Sequence, residues 1–443
     1  MTSIDGAVFR RQLKSDLTRA VEARGVWIVD AAGKRFIDGS GGPLVVNVGH
    51  GREEIAAAVA EQIRRCDYVH PTMFTGASVE ALARRLADKA PRGIQRFYFM
   101  TSGSEAVETA VKLARQIHLE RGQPQRYRTI SRWKSYHGLT LGALAVTGRT
   151  TFRTPFAPML PENHHIPAPY CYRCPYGLTY PNCGLRCADA LEEAIWNLGP
   201  QTVSAFLAET VSGATIACVV PPPGYLQRIR EICDRYGVLL ILDEVFCGLG
   251  RTGHWFAAEH FDVVPDLVTL GKGLSGGTAA LSAVGVQRDH FETIRGGSGA
   301  FMHGGTYSHH LVACAAANAV LDIFEAEDLV TRVAETGPRL GAMLRQRLGD
   351  HPRVGDIRGL GFMWGVELVA DRDSRRPFPR ADQVTEKLYH RLYDDGVLLY
   401  KSTGLAGLDG DAMVVGPPFV ATDDDLEQIV EALGRAVVAE LGS

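Results

Sequence analysis

Apolar runs and helical patterns alternate along the middle of the chain. Continuous apolar runs, which predict buried strands, lie at residues 97–100, 204–208, 238–242, 267–270 and 281–286. Between them, apolar residues recur at the spacing of a helix, as in residues 106–118 and 223–236. This alternation predicts an α/β fold in which a mostly parallel sheet is sandwiched by helices.

The pattern changes after Glu327. It predicts a helix through Leu348, strands around Ile357 and at 363–368, a helix near 383–393 and a last helix from Asp424. This order is typical of a smaller α+β domain, which the N-terminal segment would complete. Because 443 residues exceed one ordinary core, we predict a large domain at residues 61–325 and a small domain at residues 1–60 and 326–443.

The charge balance excludes several classes of partner. The formal net charge is −3, and the chain has neither a basic tract nor an acidic tail. Nucleic acid and anionic membrane surfaces are therefore not expected as partners. The first residues, Met1 to Asp5, lack the charged and apolar regions of an export signal, and no apolar run approaches membrane-spanning length. We expect a cytoplasmic protein.

Lys272 is the first candidate for chemistry. It lies between Gly271 and Gly273, directly after the strand predicted at 267–270, and such a lysine can point into a site. A primary amine in a partly desolvated pocket loses some of its proton affinity and can form a Schiff base with a carbonyl group, as in pyridoxal phosphate enzymes. The alternative is a solvated loop lysine.

Asp243 ends the apolar run at 238–242. Open α/β sheets bind their ligands at the carboxyl ends of the strands, so this carboxylate would be in a ligand position. An anion against the pyridine nitrogen of pyridoxal phosphate keeps the ring protonated, which makes it an electron sink. A helix cap and a metal ligand are the alternatives for Asp243.

A third candidate is the segment from Ser102 to Glu105. Ser102 and Glu105 fit a capping box, so a helix would begin here with free N–H groups, which favour a phosphate. Gly103 would let the backbone approach that phosphate closely, and Ser104 would add a hydroxyl group. Taken alone, the segment also fits a well-capped helix without a ligand.

These motifs, with several others, resemble the class III aminotransferases of the fold type I pyridoxal phosphate-dependent enzymes over nearly the whole chain. The matching segments are residues 38–51, 135–138, 243–245, 250–253, 271–273, 303–308 and 310–314. One departure is Leu311, where the family commonly has proline. This departure affects only the residue at which a helix begins.

The resemblance implies how pyridoxal 5′-phosphate would be held. Lys272 would form the Schiff base, Asp243 would face the ring nitrogen, and Tyr136 and Val245 would cover the two faces of the ring. The other cofactor-binding positions that it implies are Gly103, Ser104, His137 and Glu209.

The resemblance also implies a homodimer with shared active sites, because Thr306 matches a threonine that reaches the cofactor phosphate of the neighbouring subunit. For Glu209, at the end of the run 204–208, the alternative is a buried structural carboxylate.

The implied reaction moves an amino group from an ω-amino acid or primary amine to a 2-oxo acid such as pyruvate. It proceeds in two ping-pong half-reactions, with Lys272 as anchor and proton carrier. Two alternatives stay open. The same scaffold and lysine serve amino-acid racemases and epimerases, and no residue separates them from transaminases. The segment from Gly248 to Gly253 imitates the GxGxxG of nucleotide-binding dehydrogenases, but no helical pattern begins inside it.

Substrate choice rests on two missing residues. Family members that act on ornithine or 4-aminobutyrate share a glutamate and an arginine, and the matching positions here are Ala214 and Val414. The pocket is therefore expected to favour ω-amino acids or simple amines, as in the ω-transaminase branch. Lys401 is the candidate cation for a substrate carboxylate.

Four of the nine cysteines form a CxxC pair and a CxxxC pair: Cys171, Cys174, Cys183 and Cys187. This spacing fits a structural zinc site in an insertion loop. The surrounding prolines and glycines equally fit an irregular loop with free thiols, as in a reducing cytosol. Neither interpretation changes the chemistry expected of Lys272, and we assign no metal to the active site.

Overall fold

The computed structural model describes residues 6–14 and 16–442. Met1 to Asp5, on which the expectation about an export signal rests, lie outside the described residues. Within the described ranges, no helix combines the length and the apolar character needed to cross a membrane. The cytoplasmic location stays a prediction.

Strands and helices of the described chain follow one another in a mixed order. The strands are β1 (Ala20–Arg24), β2 (Trp27–Asp30), β3 (Arg35–Asp38), β4 (Ile94–Met100), β5 (Arg128–Arg132), β6 (His164–Ile166), β7 (Val203–Glu209), β8 (Leu239–Asp243), β9 (Leu267–Leu270), β10 (Ser282–Gln287), β11 (Val354–Leu360), β12 (Met363–Leu368), β13 (Val397–Leu398), β14 (Tyr400–Ala406) and β15 (Asp409–Val415). The helices are α1 (Gly41–Leu44), α2 (Glu53–Arg65), α3 (Ala77–Lys89), α4 (Gly103–Glu120), α5 (Leu141–Val146), α6 (Thr150–Arg153), α7 (Arg186–Leu198), α8 (Tyr225–Tyr236), α9 (Arg288–Gly296), α10 (Leu311–Ala326), α11 (Leu329–Leu348), α12 (Val384–Asp394) and α13 (Asp423–Leu441).

A seven-stranded sheet in the order β4-β10-β9-β8-β7-β5-β6 forms the centre. Strands β9, β8, β7, β5 and β6 are parallel to one another, whereas β10 is antiparallel to both β4 and β9. The five strands predicted for the middle of the chain all lie in this sheet, so the expectation of a mostly parallel sheet is confirmed. The apolar pattern does not reveal β5, which has Arg128 and Arg132 at its ends, or β6, which has three residues.

Helices cover both faces of the sheet, and as a result every residue of β7 is buried. Successive side chains of a strand point to opposite faces. Ala205 and Leu207 accordingly pack in a cluster with α4, whereas Phe206 and Ala208 pack in another cluster with α7 and α8. The sandwich expected from the sequence is confirmed.

Two smaller sheets flank the centre. Strands β11-β12-β15-β14 form an antiparallel sheet, of which β14 and β15 are not evident in the sequence. In the sheet β1-β2-β3-β13, the C-terminal strand β13 pairs in parallel with the N-terminal strand β3, through Val397 with Ile37 and Leu398 with Asp38. The predicted domain boundaries stay predictions.

Helix α10 begins at Leu311 without the family's proline. The Nδ1 atom of His310 accepts a hydrogen bond from the backbone N–H of Ala313 at 3.3 Å and so caps the first turn. The departure at this position leaves the helix intact.

Candidate active site

The carboxyl ends of three neighbouring strands bring the main candidates together. Strand β7 ends in Glu209, β8 ends in Asp243, and Lys272 follows β9 by two residues. Glu209 is the register partner of Asp243 in the parallel pair β7 and β8. Because parallel strands end at the same edge of a sheet, two acids and one amine meet at one point.

A cavity of about 520 Å³ opens at this edge. The residues predicted for the site that line it are Gly103, Ser104, Tyr136, His137, Glu209, Asp243, Val245, Lys272 and Lys401. Thr306 is not among the lining residues and lies in an exposed loop of the same chain. The structure thus gathers all of the predicted site residues except Thr306.

The carboxylate of Asp243 is buried and held at both oxygens. Its Oδ2 atom lies 2.7 Å from Nδ1 of His137. Its Oδ1 atom accepts hydrogen bonds from the Thr269 hydroxyl at 2.8 Å and from the Val245 N–H at 3.1 Å. These bonds fix the direction in which the carboxylate can act.

Lys272 has a left-handed backbone conformation, with φ at +44°. Such a conformation is strained for a residue with a side chain. Its neighbour Gly273 has no room for a Cβ atom, which would lie 2.1 Å from the Asn47 side chain. Burial lowers the pKa of Lys272, although the charges of Asp243 and Glu209 act in the opposite direction. The amine is thereby biased toward its neutral, nucleophilic form.

Helix α4 begins at the cavity, as predicted. Ser102 caps it, since its hydroxyl accepts a hydrogen bond from the Glu105 N–H at 3.3 Å. The Glu105 carboxylate in turn accepts hydrogen bonds from the Thr101 N–H and from the Ser102 hydroxyl, each at 3.1 Å. The first residue of the helix, Gly103, has no room for a side chain, because a Cβ atom there would lie 2.9 Å from Val245.

Ser104 has its hydroxyl at the cavity, where it accepts a hydrogen bond from the Leu139 N–H at 3.1 Å. Gly138 has a φ of +133°, and a Cβ atom at that position would lie 2.4 Å from the same hydroxyl. A glycine at this turn therefore keeps the mouth of the helix open.

Glu209 is fully enclosed. One oxygen accepts a hydrogen bond from the Gly213 N–H at 3.0 Å, and the other, Oε2, has no partner among the described residues. Burial raises the pKa of Glu209, against the influence of His137 and Arg132. A polar contact in the cavity and a structural role at the Gly213 turn both fit these observations.

Several lining residues were not predicted from the sequence: Arg11, Arg149, Phe152, Phe246 and Tyr400. The rings of Tyr136 and Phe152 meet edge to face with centroids 5.9 Å apart. The ammonium group of Lys272 lies 4.9 Å from the centroid of Phe246. These residues carry no motif, and only the fold places them at the cavity.

The segment from Gly248 to Gly253 forms turns rather than the start of a helix. The buried guanidinium of Arg251 donates to the carbonyl oxygen of Pro417 at 2.6 Å and to Oδ1 of Asn47 at 2.6 Å. The segment ties distant parts of the chain together, which argues against the dinucleotide-binding alternative.

The four cysteines of the insertion loop border one small cavity of about 20 Å³ and are all free thiols. Burial and the nearby Cys171, Cys183 and Cys174 raise the pKa of Cys187 to about 12. Across residues 6–14 and 16–442, no group of histidine, cysteine or acidic side chains is arranged to hold a metal ion. Zinc binding at these cysteines stays a hypothesis.

The cavity fits pyridoxal phosphate. It offers the Lys272 amine for the carbonyl group, the Asp243 carboxylate for the ring nitrogen, and the Ser104 hydroxyl with the start of α4 for the phosphate. Among the described residues, two buried polar atoms beside Asp243 lack partners, Nε2 of His137 and Oε2 of Glu209. Buried polar groups are normally satisfied, so these atoms are suited to a bound polar molecule.

The fold and the site together define a pyridoxal phosphate-dependent transferase of fold type I. The chain belongs to the class III aminotransferases, since the family model described as Aminotransferase class-III matches residues 9–437. It is 37% identical to the aminotransferase YodT of Bacillus subtilis over 94% of each chain.

Solved structures of transaminases have the same fold as this chain. An (S)-enantioselective omega-transaminase from Thermomicrobium roseum superposes with a TM-score of 0.92 at 37% identity, over 99% of this chain and 97% of that one. The omega transaminase of Pseudomonas jessenii, solved in complex with PMP, superposes with a TM-score of 0.92 at 31% identity, again over 99% and 97%. The protein is a pyridoxal phosphate-dependent aminotransferase, as the sequence motifs predict.

Proposed function

We propose that the protein moves an amino group from an ω-amino acid or a primary amine to a 2-oxo acid such as pyruvate. The observation that carries the proposal is the position of Lys272, whose amine lines one cavity with the fixed carboxylate of Asp243. Ala214 lines the same cavity, at the position that matches the glutamate of family members acting on ornithine or 4-aminobutyrate. The amine donor therefore needs no carboxylate next to its amino group.

Each residue of the site has a definite task in this proposal. Pyridoxal phosphate, when bound, supplies an electron sink for the negative charge that develops at the substrate carbon. Asp243 would keep a proton at the ring nitrogen, and His137 and Thr269 keep its carboxylate in place. Tyr136 and Val245 would hold the two ring faces.

Lys272 would carry the proton. Burial lowers the pKa of its amine, so a larger fraction is neutral than in a free lysine. The neutral Nζ atom would accept the proton from the substrate carbon, and the resulting ammonium would hold this proton until it is returned in the reaction. The same atom serves both half-reactions, because the second runs the steps in reverse.

A single assay separates this function from racemisation. Purified protein is mixed with pyruvate and an amine, and alanine is measured together with the absorbance of pyridoxamine phosphate. Formation of both is the expected result. Loss of optical activity of an amino acid without any acceptor would instead identify a racemase, which uses the same lysine.

We also propose a homodimer in which Thr306 of each subunit reaches the phosphate site of the other. The loop that carries Thr306 is rich in exposed apolar side chains, with Met302 85% and Tyr307 58% exposed. The ring centroids of Tyr307 and Tyr68 are 6.3 Å apart. Phe74, which follows Tyr68 closely in the sequence, is 64% exposed. Exposed apolar surface of this kind is typical of a protein interface.

Thr306→Val tests this arrangement. It keeps the size of the side chain but removes the hydroxyl group. Sedimentation should report a dimer for both proteins, whereas the variant should lose pyridoxal phosphate faster on dialysis. A monomeric wild-type protein, or unchanged cofactor loss, would contradict the shared site.

A further inference from the structure

Arg149 lies in the active-site cavity although no sequence motif points to it. It directly precedes helix α6 and lines the cavity together with Tyr136 and Lys272. The backbone before it is tied to the segment that carries Tyr136. The Gly148 N–H donates to the carbonyl oxygen of Ser135 at 3.1 Å. The backbone next to Arg149 is therefore anchored at the wall of the cavity that Lys272 also lines.

The guanidinium of Arg149 is oriented by neutral groups. Its Nη2 atom donates to the hydroxyl of Thr403 at 3.0 Å, and its Nε atom donates weakly to the hydroxyl of Thr151 at 3.3 Å. The guanidinium carbon lies 5.0 Å from the centroid of the Phe152 ring. Among the described residues, Nη1 of Arg149 has no hydrogen-bond partner and Nη2 has one, so N–H donors remain for a carboxylate.

No carboxylate of residues 6–14 and 16–442 forms an ion pair with Arg149. A second cation, Arg11, lines the same cavity, and its guanidinium carbon lies 5.5 Å from the centroid of the same Phe152 ring. Burial lowers the pKa of Arg149; Tyr400 acts in the opposite direction, whereas Arg11 and Arg380 lower it further. A half-buried cation without a counter-ion is costly, and an anion in the cavity would remove that cost.

Lys401, the cation expected from the sequence, has a different environment. It borders the cavity, but its Nζ atom lies 3.8 Å from Oε1 of Glu386 and 4.9 Å from the centroid of the Tyr389 ring. Neither Glu386 nor Tyr389 lines the cavity. The ammonium group therefore already has an acidic neighbour, unlike Arg149.

We propose that Arg149 binds the carboxylate of the substrates, both of the 2-oxo acid acceptor and of an ω-amino acid donor. The proposal rests on the aminotransferase reaction proposed above and adds the residue that recognises its carboxylate substrates. A planar guanidinium holds a carboxylate through two parallel hydrogen bonds, which a lysine cannot do. Uncharged primary amines would enter the same cavity without using Arg149.

The test compares Arg149→Gln with Lys401→Gln in the complete, cofactor-loaded enzyme. Each half-reaction is followed separately by cofactor absorbance, with pyruvate as acceptor and with 6-aminohexanoate or benzylamine as donor. Arg149→Gln should raise the apparent KM for pyruvate and for 6-aminohexanoate by roughly 10- to 100-fold, which corresponds to a lost charge-assisted hydrogen bond. It should leave the benzylamine half-reaction within about 3-fold, and Arg149→Lys should restore part of the loss.

A binding measurement gives a second readout that does not require turnover. Calorimetry should show pentanoate, which has neither an amine nor a keto group, binding to the wild-type enzyme and more weakly to Arg149→Gln by a similar factor. Lys401→Gln should retain most of the affinity.

Each outcome decides the proposal. Equal losses for benzylamine and 6-aminohexanoate would show that Arg149 supports the loop rather than the carboxylate, and an unchanged KM for pyruvate would also overturn the assignment. A large loss in Lys401→Gln alone would transfer the role to Lys401. Failure of the wild-type enzyme with pyruvate would contradict the proposed function instead, and the pentanoate measurement would still decide for or against Arg149.

Discussion

The Nδ1 atom of His137 lies 2.7 Å from Oδ2 of Asp243, across 106 positions of the chain. Both side chains are buried, and the second carboxylate oxygen is held by the Thr269 hydroxyl. The acid at the edge of the sheet is thus oriented by a loop on one side and by the next strand on the other. Its contribution to catalysis should depend on charge more than on shape.

Asp243→Asn should slow proton removal from the substrate carbon by roughly 100-fold or more, because the neutral amide cannot stabilise the ring proton. Tyr136→Phe serves as the matched control, since it keeps a ring in the cavity and removes only a hydroxyl. Stopped-flow absorbance of the donor half-reaction measures both variants. Similar losses in the two proteins would mean that Asp243 has another role.

Lys272 should be the attachment point of the cofactor. Borohydride treatment of the purified, yellow protein followed by peptide mapping should recover the reduced cofactor on Lys272. Lys272→Ala should abolish turnover and yet retain part of the affinity for pyridoxal phosphate through the phosphate contacts. Recovery of the label on a different lysine would exclude the assignment.

The pKa of Lys272 leads to a pH prediction. Burial disfavours the ammonium form, so the apoenzyme should incorporate pyridoxal phosphate with a pH midpoint below the value of 10.5 for an ordinary lysine. The nearby charge of Glu209 raises the same pKa. Glu209→Gln removes this charge and should move the midpoint further down.

The return of cofactor absorbance after mixing gives the incorporation rate at each pH. A midpoint that stays in place in Glu209→Gln would show that the two groups do not interact. A shift to higher pH would contradict the sign of the electrostatic argument.

Asp266 should stabilise the fold above pH 4. Burial opposes its ionisation, but the hydrogen bond from His290 and the charge of Arg230 outweigh this effect and lower the pKa of Asp266 to about 2. Both partners lie 2.7 Å from its oxygens. Because the folded-state pKa is below the unfolded value of 3.8, the stabilisation is complete above pH 4 and is lost as the pH falls toward 2.

Asp266→Asn should therefore lower the free energy of unfolding at pH 7 by about 2 kcal/mol, and the difference from wild type should shrink at pH 3. Asp262→Asn is a suitable control, because Asp262 is exposed on the same loop and asparagine tolerates its left-handed backbone. Urea unfolding at the two pH values makes the comparison. A deficit that is independent of pH would point to packing rather than charge.

The sequence by itself determined five of the seven strands of the central sheet and most of the candidate active site. Strands β7, β8 and β9 are buried on both faces and therefore appear as continuous apolar runs, so their carboxyl ends can be located in the chain. Glu209, Asp243 and Lys272 stand at or just after those ends, which is why their meeting could be predicted. The capped start of α4 at Gly103 was visible for a similar reason, because caps depend on local residues.

Only the tertiary structure decided the environment of these groups. The sequence gives no pattern that would predict the bond between His137 and Asp243 or the presence of Arg149 in the cavity that Tyr136 lines. Strand β14, with Lys401, was missed because a partly buried strand with polar positions has no continuous apolar run. Local periodicity reports burial, whereas the charge balance of a cavity depends on which distant side chains the fold brings to it.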